Sequence, residues 1–373
     1  MPKKIRFYSL QTFSTTGGIQ KMSRTMAHAL YNISKKNGWD FQFWSAYDSV
    51  HDLMPQYIPA SSFRAFNTNR INFVLKAIVK APKPDIIILA HINLAILGLL
   101  IKAINPRCKI WVIAHGIEVW RPLSIIKKLF LNNCDKIICV SNYTKEQMIS
   151  RHNTSADMCV VLNNAVDPFM KLPKTFTKPD HLLKRYHIRP DNPLIFTLTR
   201  LASTEQYKGH DQVIKILKTL KIKFPGIKYI LSGQYDNKEK LRIQKLITAN
   251  NVEEHVILTG FLDEGELSDH FLLADLFVLP SKKEGFGIVF IEALACGLPV
   301  VCGNSDGSID AIWNGELGKA INPDDLAGLE NAITDYLNTP LTEDIRQHLQ
   351  SQCLLHFNEA NYMVNLEKLI NDN

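Results

Sequence analysis

The chain has 373 residues, is 46% hydrophobic and 21% charged, and carries a net charge of +7 and seven cysteines. That length exceeds one typical core and predicts two domains, and the apolar fraction with little low-complexity sequence marks a globular, foldable chain. The cysteines, at 108, 134, 139, 159, 296, 302 and 353, form no C-x-x-C pair and no metal-ligand spacing, so they are expected to be buried small hydrophobes in a reducing compartment.

The N-terminus, MPKKIRFYSL, has charge but no long apolar run, which predicts a first strand rather than a signal peptide. Ile5–Leu10 reads as that strand, TFSTTGGIQ as a glycine-containing loop and Lys21–Lys36 as a helix. Further short strands are expected at Phe41–Ser45, Ile86–Ala90, Lys109–Ala114 and Lys136–Val140, with helices over 122–133 and 144–151. In the segment 64–83, the cations Arg64, Arg70, Lys76, Lys80 and Lys83 alternate with Phe66, Ile71, Phe73, Val74, Leu75, Ile78 and Val79. That pattern fits a basic amphipathic helix for a membrane surface, or an ordinary surface helix. The apolar run Ile86–Ile104 contains His91, Asn93, Gly98 and Lys102 and is flanked by turn signals, so a buried strand followed by an apolar helix is expected rather than a membrane span.

Pro168, Pro173 and Pro179 mark a linker, after which strands and helices alternate again: Leu194–Thr199, helix 209–223, Ile227–Ser232, helix 236–250, Val256–Thr259, helix 264–274, Leu276–Pro280, helix 288–297 and Val300–Cys302. Asp263 and Glu264 open the helix at 264 as ordinary capping residues. The alternation predicts two doubly wound α/β domains, residues 1–167 and 181–355, joined by a linker at 168–180. Residues 1–170 carry 21 Lys/Arg against 9 Asp/Glu, a net +12, whereas residues 171–373 carry 22 against 27, a net −5. No aromatic-interleaved arginine motif or zinc spacing accompanies the basic half, so nucleic acid is not expected as a partner. An anionic membrane surface or a phosphorylated acceptor suits the charge better.

The residues with chemistry sit just after predicted strands, where an open α/β sheet binds ligands. Gly17 and Gly18 precede a helix and would let a diphosphate approach the backbone, or simply make a turn; the spacing is not that of a dinucleotide-binding loop. His115 follows an apolar strand and is either a satisfied polar residue or a reacting group. Arg200 and Lys208, eight apart in TLTRLASTEQYKGHD, suit a leaving diphosphate as a fork and a point charge, or form a solvated basic loop. The most informative stretch is PSKKEGFGIVFIEALACGLPVV, residues 280–301. Gly285, Phe286 and Gly287 precede an apolar helix whose first N–H groups could meet a ligand, and Glu284 and Glu292 are expected about two turns apart on one side of it. Glu292 inside an apolar run calls for a partner, either a ligand hydroxyl, or an internal salt bridge or helix cap. Ser141, Asn142 and Asn163–Asp167 are turn chemistry, or acceptor or nucleotide contacts.

EGFGIVFIE with the following apolar, glycine-containing segment resembles the Glu-seven-Glu signature of retaining GT-B glycosyltransferases of family four, group 1. Gly17-Gly18, His115-Gly116, Arg200 with Lys208-Gly209, and Thr259-Gly260 fall in that family's order. The resemblance implies a GT-B fold of two facing Rossmann-like domains with a central cleft, the final helix 356–373 crossing back to the first. It implies a retaining, metal-independent hexosyltransferase, with no cofactor, that uses a nucleotide sugar (UDP- or GDP-linked) and a polysaccharide or lipid-linked glycan acceptor. By that carry-over Arg200 and Lys208 hold the diphosphate beside the Gly17–Gly18 loop. Glu284 and the backbone of Gly285, Phe286, Gly287 and Ile288 hold the transferred sugar, Glu292 the ribose, and His115 faces the reacting carbon. A cytoplasmic, peripherally membrane-associated enzyme is the expectation. The rivals are another GT-B enzyme, such as a sugar phosphorylase or sugar-nucleotide epimerase, and an inactive binding protein. The chain departs from the family pattern at Ala165 and at Gln234-Tyr235-Asp236, which leaves the base unassigned.

Overall fold

The computed structural model describes residues 2–80, 84–339 and 341–372. They form two compact units, residues 1–169 with 357–373, and residues 170–356. The first unit holds strands β1 (Lys4–Ser9), β2 (Asp40–Ser45), β3 (Phe63–Ala65), β4 (Ile86–Leu89), β5 (Lys109–Ala114), β6 (Lys136–Cys139) and β7 (Cys159–Val161). They pair in the order β3-β2-β1-β4-β5-β6-β7, each pair parallel. The second unit holds β8 (Leu194–Leu198), β9 (Lys228–Ser232), β10 (Val256–Gly260), β11 (Leu276–Leu279), β12 (Val300–Gly303) and β13 (Lys319–Ile321). Their order is β10-β9-β8-β11-β12-β13, again parallel throughout. Both units are therefore doubly wound Rossmann-like sheets.

The central strands are nearly continuous apolar runs because helices cover both sheet faces. IIIL of β4 and LFVL of β11 are buried at every position. The helix Gly18–Asn37 shows the complementary pattern: Met22, Met26, Leu30 and Ile33 recur at helical spacing and are buried, and Gly38 ends it at φ 67°. The apolar segment 86–104 is the strand β4 followed by the helix Ala95–Ile104. No helix among the described residues is long and apolar enough to cross a membrane.

Three expectations need correction. The segment 64–83 is not one amphipathic helix. Arg64 lies on β3, Asn67 and Thr68 adopt φ of 43° and 67°, and a helix begins only at Arg70, continuing as a π turn over Lys76–Lys80. The break is pinned by backbone bonds from Asn67 N–H to Asp48 O and from Thr68 N–H to Ala46 O, both 3.0 Å. Three of the cations lie over aromatic rings of their own unit: Arg64 over Trp44, Arg70 over Tyr47 and Lys76 over Phe66. The side chain of Lys80, and Lys83 altogether, lie outside the described residues. Next, Glu284 and Glu292 do not share a helix, because the helix begins at Ile288 and Gly287 before it is left-handed at φ 81°. Last, Asp263 stands at the start of the 264–266 turn, but its side chain makes no capping bond.

The pairing orders locate a switch point in each sheet. In the first unit the chain moves outward from β1 through β2 and β3, then returns to place β4 on the other side of β1. In the second it leaves β8 through β9 and β10, then places β11 on the other side of β8. Loops leaving the two strands at such a point diverge and open a crevice for ligands.

Candidate functional site

At the switch point of the second unit, the loop after β8 carries Lys208 and the loop after β11 carries Glu284. Lys208 Nζ lies 2.6 Å from Glu284 Oε1, and the two side chains are only 13% and 15% exposed. Burial pulls the ammonium down, but the Glu284 charge and hydrogen bond, helped by Tyr207 and Glu205, more than offset it and the Lys208 pKa is raised. Lys208 is thus a fixed cation. Gly209, at φ 88°, lets this loop close onto the next: a β-carbon there would sit 2.3 Å from the Pro280 carbonyl oxygen. Lys282 N–H donates to Tyr207 O at 3.0 Å and ties the same two loops.

The loop after β12 fixes Glu284 from behind. Asp306, 2% exposed, accepts the Glu284 N–H at 2.6 Å on Oδ2 and the Ser308 N–H at 2.9 Å on Oδ1. Gly307 N–H donates to the Glu284 carbonyl at 2.8 Å. Burial first, then the nearby Glu284 carboxylate, pushes Asp306 up to about 7. A carboxyl with a raised folded-state pKa keeps its proton where the unfolded chain has released it, so its contribution to stability falls as pH rises from about 4 to about 7. Asp306→Asn removes that slope. Melting temperatures of the two proteins measured from pH 5 to pH 8 are expected to shift progressively in favour of the variant; a difference that stays constant with pH contradicts the raised pKa.

The remaining donor-side residues are placed less uniformly. Arg200 is exposed and its guanidinium pairs with Glu205, so it and Lys208, expected to act together, hold different carboxylates. The backbone after Arg200 is tied down by the Ser203 N–H to Asp236 Oδ2, 2.8 Å, and that carboxylate also caps the helix Asn237–Ala249. Gly285 through Gly287 lead into the helix Ile288–Ala295, whose first turn has no side-chain cap and carries the positive end of the helix dipole. Glu292 sits inside that helix, 4% exposed. Asp306 and Glu205 were not singled out from sequence, and Asp236 was noted only as a departure from the family pattern.

In the first unit, the switch-point loops after β1 and β4 are joined by the loop after β5. Asp48 is fully buried and accepts the N–H groups of Thr12, Phe13 and Ser14 and the hydroxyls of Ser14 and Ser45. Arg24 bonds the carbonyls of Thr12 and Thr15. Together they fix the loop that delivers Gly17 and Gly18. The helix starts at Gly18, three residues earlier than expected, and a β-carbon on Gly18 would meet nothing within 4 Å. His115 is half-buried and its Nε2–H donates to Ala90 O at 2.7 Å, which leaves Nδ1 as the acceptor. Burial holds His115 down to about 4, so the ring is neutral. Glu118 accepts the N–H groups of His115 and Gly116 at 2.6 and 3.2 Å and sets the turn that aims the ring. His91, after β4, is likewise held down to about 4 by burial. Neither Glu118 nor His91 was singled out, although H-G-x-E gave a local signal for the first. Among the described residues, no group of three His, Cys, Asp or Glu side chains could hold a metal ion, and all seven cysteines are free and buried.

Two family models cover the chain: glycosyl transferases group 1 over residues 181–352 and glycosyltransferase family 4 over residues 23–168. A GDP-mannose-dependent α-(1-6)-phosphatidylinositol monomannoside mannosyltransferase from Mycolicibacterium smegmatis is 30% identical over 261 residues, 66% of this chain and 65% of that protein. The chain spans 59% of the length of the Mycobacterium tuberculosis enzymes of the same name. Among solved structures, Anabaena HepE in complex with UDP superposes with a TM-score of 0.79 at 19% identity, over 99% of this chain and 100% of that one. Sucrose-phosphate synthase from Thermosynechococcus elongatus gives 0.77 at 20% identity, over 99% and 98%. These likenesses establish the GT-B fold, and with both models matched in series the chain belongs to the group 1, family 4 glycosyltransferases.

Proposed function

We propose that the protein transfers a hexose from a nucleotide diphosphate sugar to a polysaccharide or lipid-linked glycan, with retention of anomeric configuration and without a bound metal. The observation that carries this reading is the buried Lys208–Glu284 pair at the β8/β11 switch point, beside the N-terminus of the helix Ile288–Ala295. Breaking the bond from the anomeric carbon to the phosphate oxygen leaves negative charge on the diphosphate. A fixed ammonium stabilises that charge where it develops, which is the most effective use of a cation in transfer chemistry. Arg200 adds a fork suited to two phosphate oxygens once it leaves Glu205. Glu284 and the backbone from Gly285 to Ile288 are assigned to the transferred sugar, and Glu292 to the ribose, as the family resemblance implies. Gly17, Gly18 and His115 keep the roles that the family resemblance implies.

The relatives supply supporting, not identical, chemistry: one is by its name a GDP-mannose-dependent phosphatidylinositol monomannoside mannosyltransferase, and the HepE structure holds UDP. A thermal-shift screen against UDP-, GDP- and ADP-sugars selects the donor, since a ligand that binds only the folded chain raises the melting temperature with its concentration. Transfer followed by NMR of the product is expected to show the donor's anomeric configuration and to continue in excess chelator. Inversion, phosphate-dependent release of sugar 1-phosphate, or loss of turnover with chelator overturns the corresponding part of the reading.

A further inference from the structure

The candidate amphipathic helix at 64–83 is broken over the described residues 64–80, but its chemistry appears on the neighbouring helices. Helix Ala95–Ile104 buries Ala95, Leu97, Gly98 and Ile101 and leaves Ile96, Leu100 and Ile104 40–60% exposed. Helix Ile125–Leu131 packs beside it; Gly98 makes room for Phe130, whose ring would lie 2.3 Å from a β-carbon there. On that second helix Ile125, Ile126 and Leu129 are 85%, 48% and 52% exposed. Six large aliphatic side chains on two packed helices form a patch of the kind that soluble surfaces avoid unless it binds something.

The surrounding charge identifies what it binds. Residues 53–134 contain 11 Lys/Arg and two acidic residues, Asp85 and Glu118, and Asp135 just beyond them pairs with Lys102 and Lys109. Neither patch helix contains an acidic residue, whereas Lys127 and Lys128 lie within the second and exposed Arg107 and Arg121 flank the pair. Exposed apolar side chains flanked by exposed cations, with no acidic residue on either helix, match the layered chemistry of an anionic bilayer: acyl chains below, phosphates above. Position agrees as well. Crossover helices run opposite to the strands of a parallel sheet, so Ile96, Ile125 and Ile126, in the first turns of their helices, lie toward the sheet end where the strands finish and where His115 and the Gly17–Gly18 loop stand.

We propose that the exposed face of helices 95–104 and 125–131 is a docking surface for an anionic lipid bilayer. The surface holds the His115 end of the unit close to the membrane and favours a lipid-linked acceptor. Only that last point rests on the proposed transfer; the docking does not.

Co-sedimentation with phosphatidylglycerol-containing vesicles tests it. The full chain is expected to bind these vesicles, to release as ionic strength rises and to bind pure phosphatidylcholine at least tenfold more weakly. Ile125→Ser/Leu129→Ser and, separately, Lys127→Glu/Lys128→Glu are each expected to lower binding by about tenfold or more. Ile222→Ser, an equally exposed isoleucine of the other unit, leaves it unchanged. Absence of vesicle binding, equal binding by the patch variants, or concentration-dependent self-association abolished by the same substitutions overturns the proposal, the last in favour of a second copy as occupant. Nucleotide-sugar binding measured on the same variants keeps the two readings apart: it is expected to be unaffected.

Discussion

Replacing Lys208 with methionine is expected to lower kcat/KM by about 10²–10³-fold, the usual loss when one preorganised group at a developing negative charge is removed. The same substitution leaves Glu284 mostly buried with no cation at 2.6 Å, and breaking a buried pair from one side costs about 3–5 kcal/mol. A loss of activity could then be blamed on a loosened fold. The double variant Lys208→Met/Glu284→Gln separates the two effects. It removes both charges together, so stability should largely return, because the desolvated carboxylate that made the single variant costly is gone. Activity should not return, because neither the phosphate cation nor the sugar acceptor is restored. Denaturant unfolding and steady-state kinetics on the four proteins give both readouts. Recovery of transfer together with stability would assign the pair to the fold alone, and full activity in either single variant would remove the proposed chemistry.

The central architecture was legible because its signal is local. Strands such as IIIL and LFVL are apolar at each position, and a segment buried on both faces cannot be written otherwise. The strands that escaped notice, β3, β7 and β13, are three residues long and lie at sheet edges, where one side faces no partner strand and the apolar requirement relaxes. The misplacement of Glu284 has a similarly specific cause. Spacing of eight suggests two helical turns, but Gly287 at φ 81° interrupts the backbone and makes Glu284 a loop residue.

The supporting carboxylates were illegible for a different reason. Asp48 reaches back 34–36 residues to the N–H groups of Thr12, Phe13 and Ser14, and Asp306 reaches back 22 to Glu284. Asp236 does the same for Ser203 across 33 residues. In each case an acid satisfies backbone donors in a loop that follows a different strand, and nothing in the neighbouring sequence marks it. One physical device recurs: loops at strand ends lack the ladder that would pair their N–H groups, and a carboxylate brought by the fold supplies the acceptor. Lys208, Glu284 and the Gly18 loop were visible as motifs, whereas the groups that fix them became visible only with the fold.

Two glycines should respond in opposite ways to the same added methyl group. Gly209 is left-handed at φ 88° and a β-carbon would fall 2.3 Å from a backbone carbonyl that cannot swing aside. Gly209→Ala is therefore expected to lose about 2–5 kcal/mol from backbone strain and overlap, and to weaken activity by displacing Lys208 next to it. Gly18 occupies a helical position with open space where the methyl would go. Within the fold Gly18→Ala is harmless, and the better helix propensity of alanine raises stability by up to about 1 kcal/mol. If a diphosphate approaches the backbone here, the methyl stands in its way, and donor affinity falls by about one to two orders of magnitude because the anion can no longer reach the helix N–H groups at hydrogen-bonding distance. Unfolding curves and donor titrations on the two variants distinguish the cases. Unchanged donor affinity in a fully stable Gly18→Ala protein removes the diphosphate from this loop, and would leave Asp48 and Arg24 holding a turn whose role lies elsewhere.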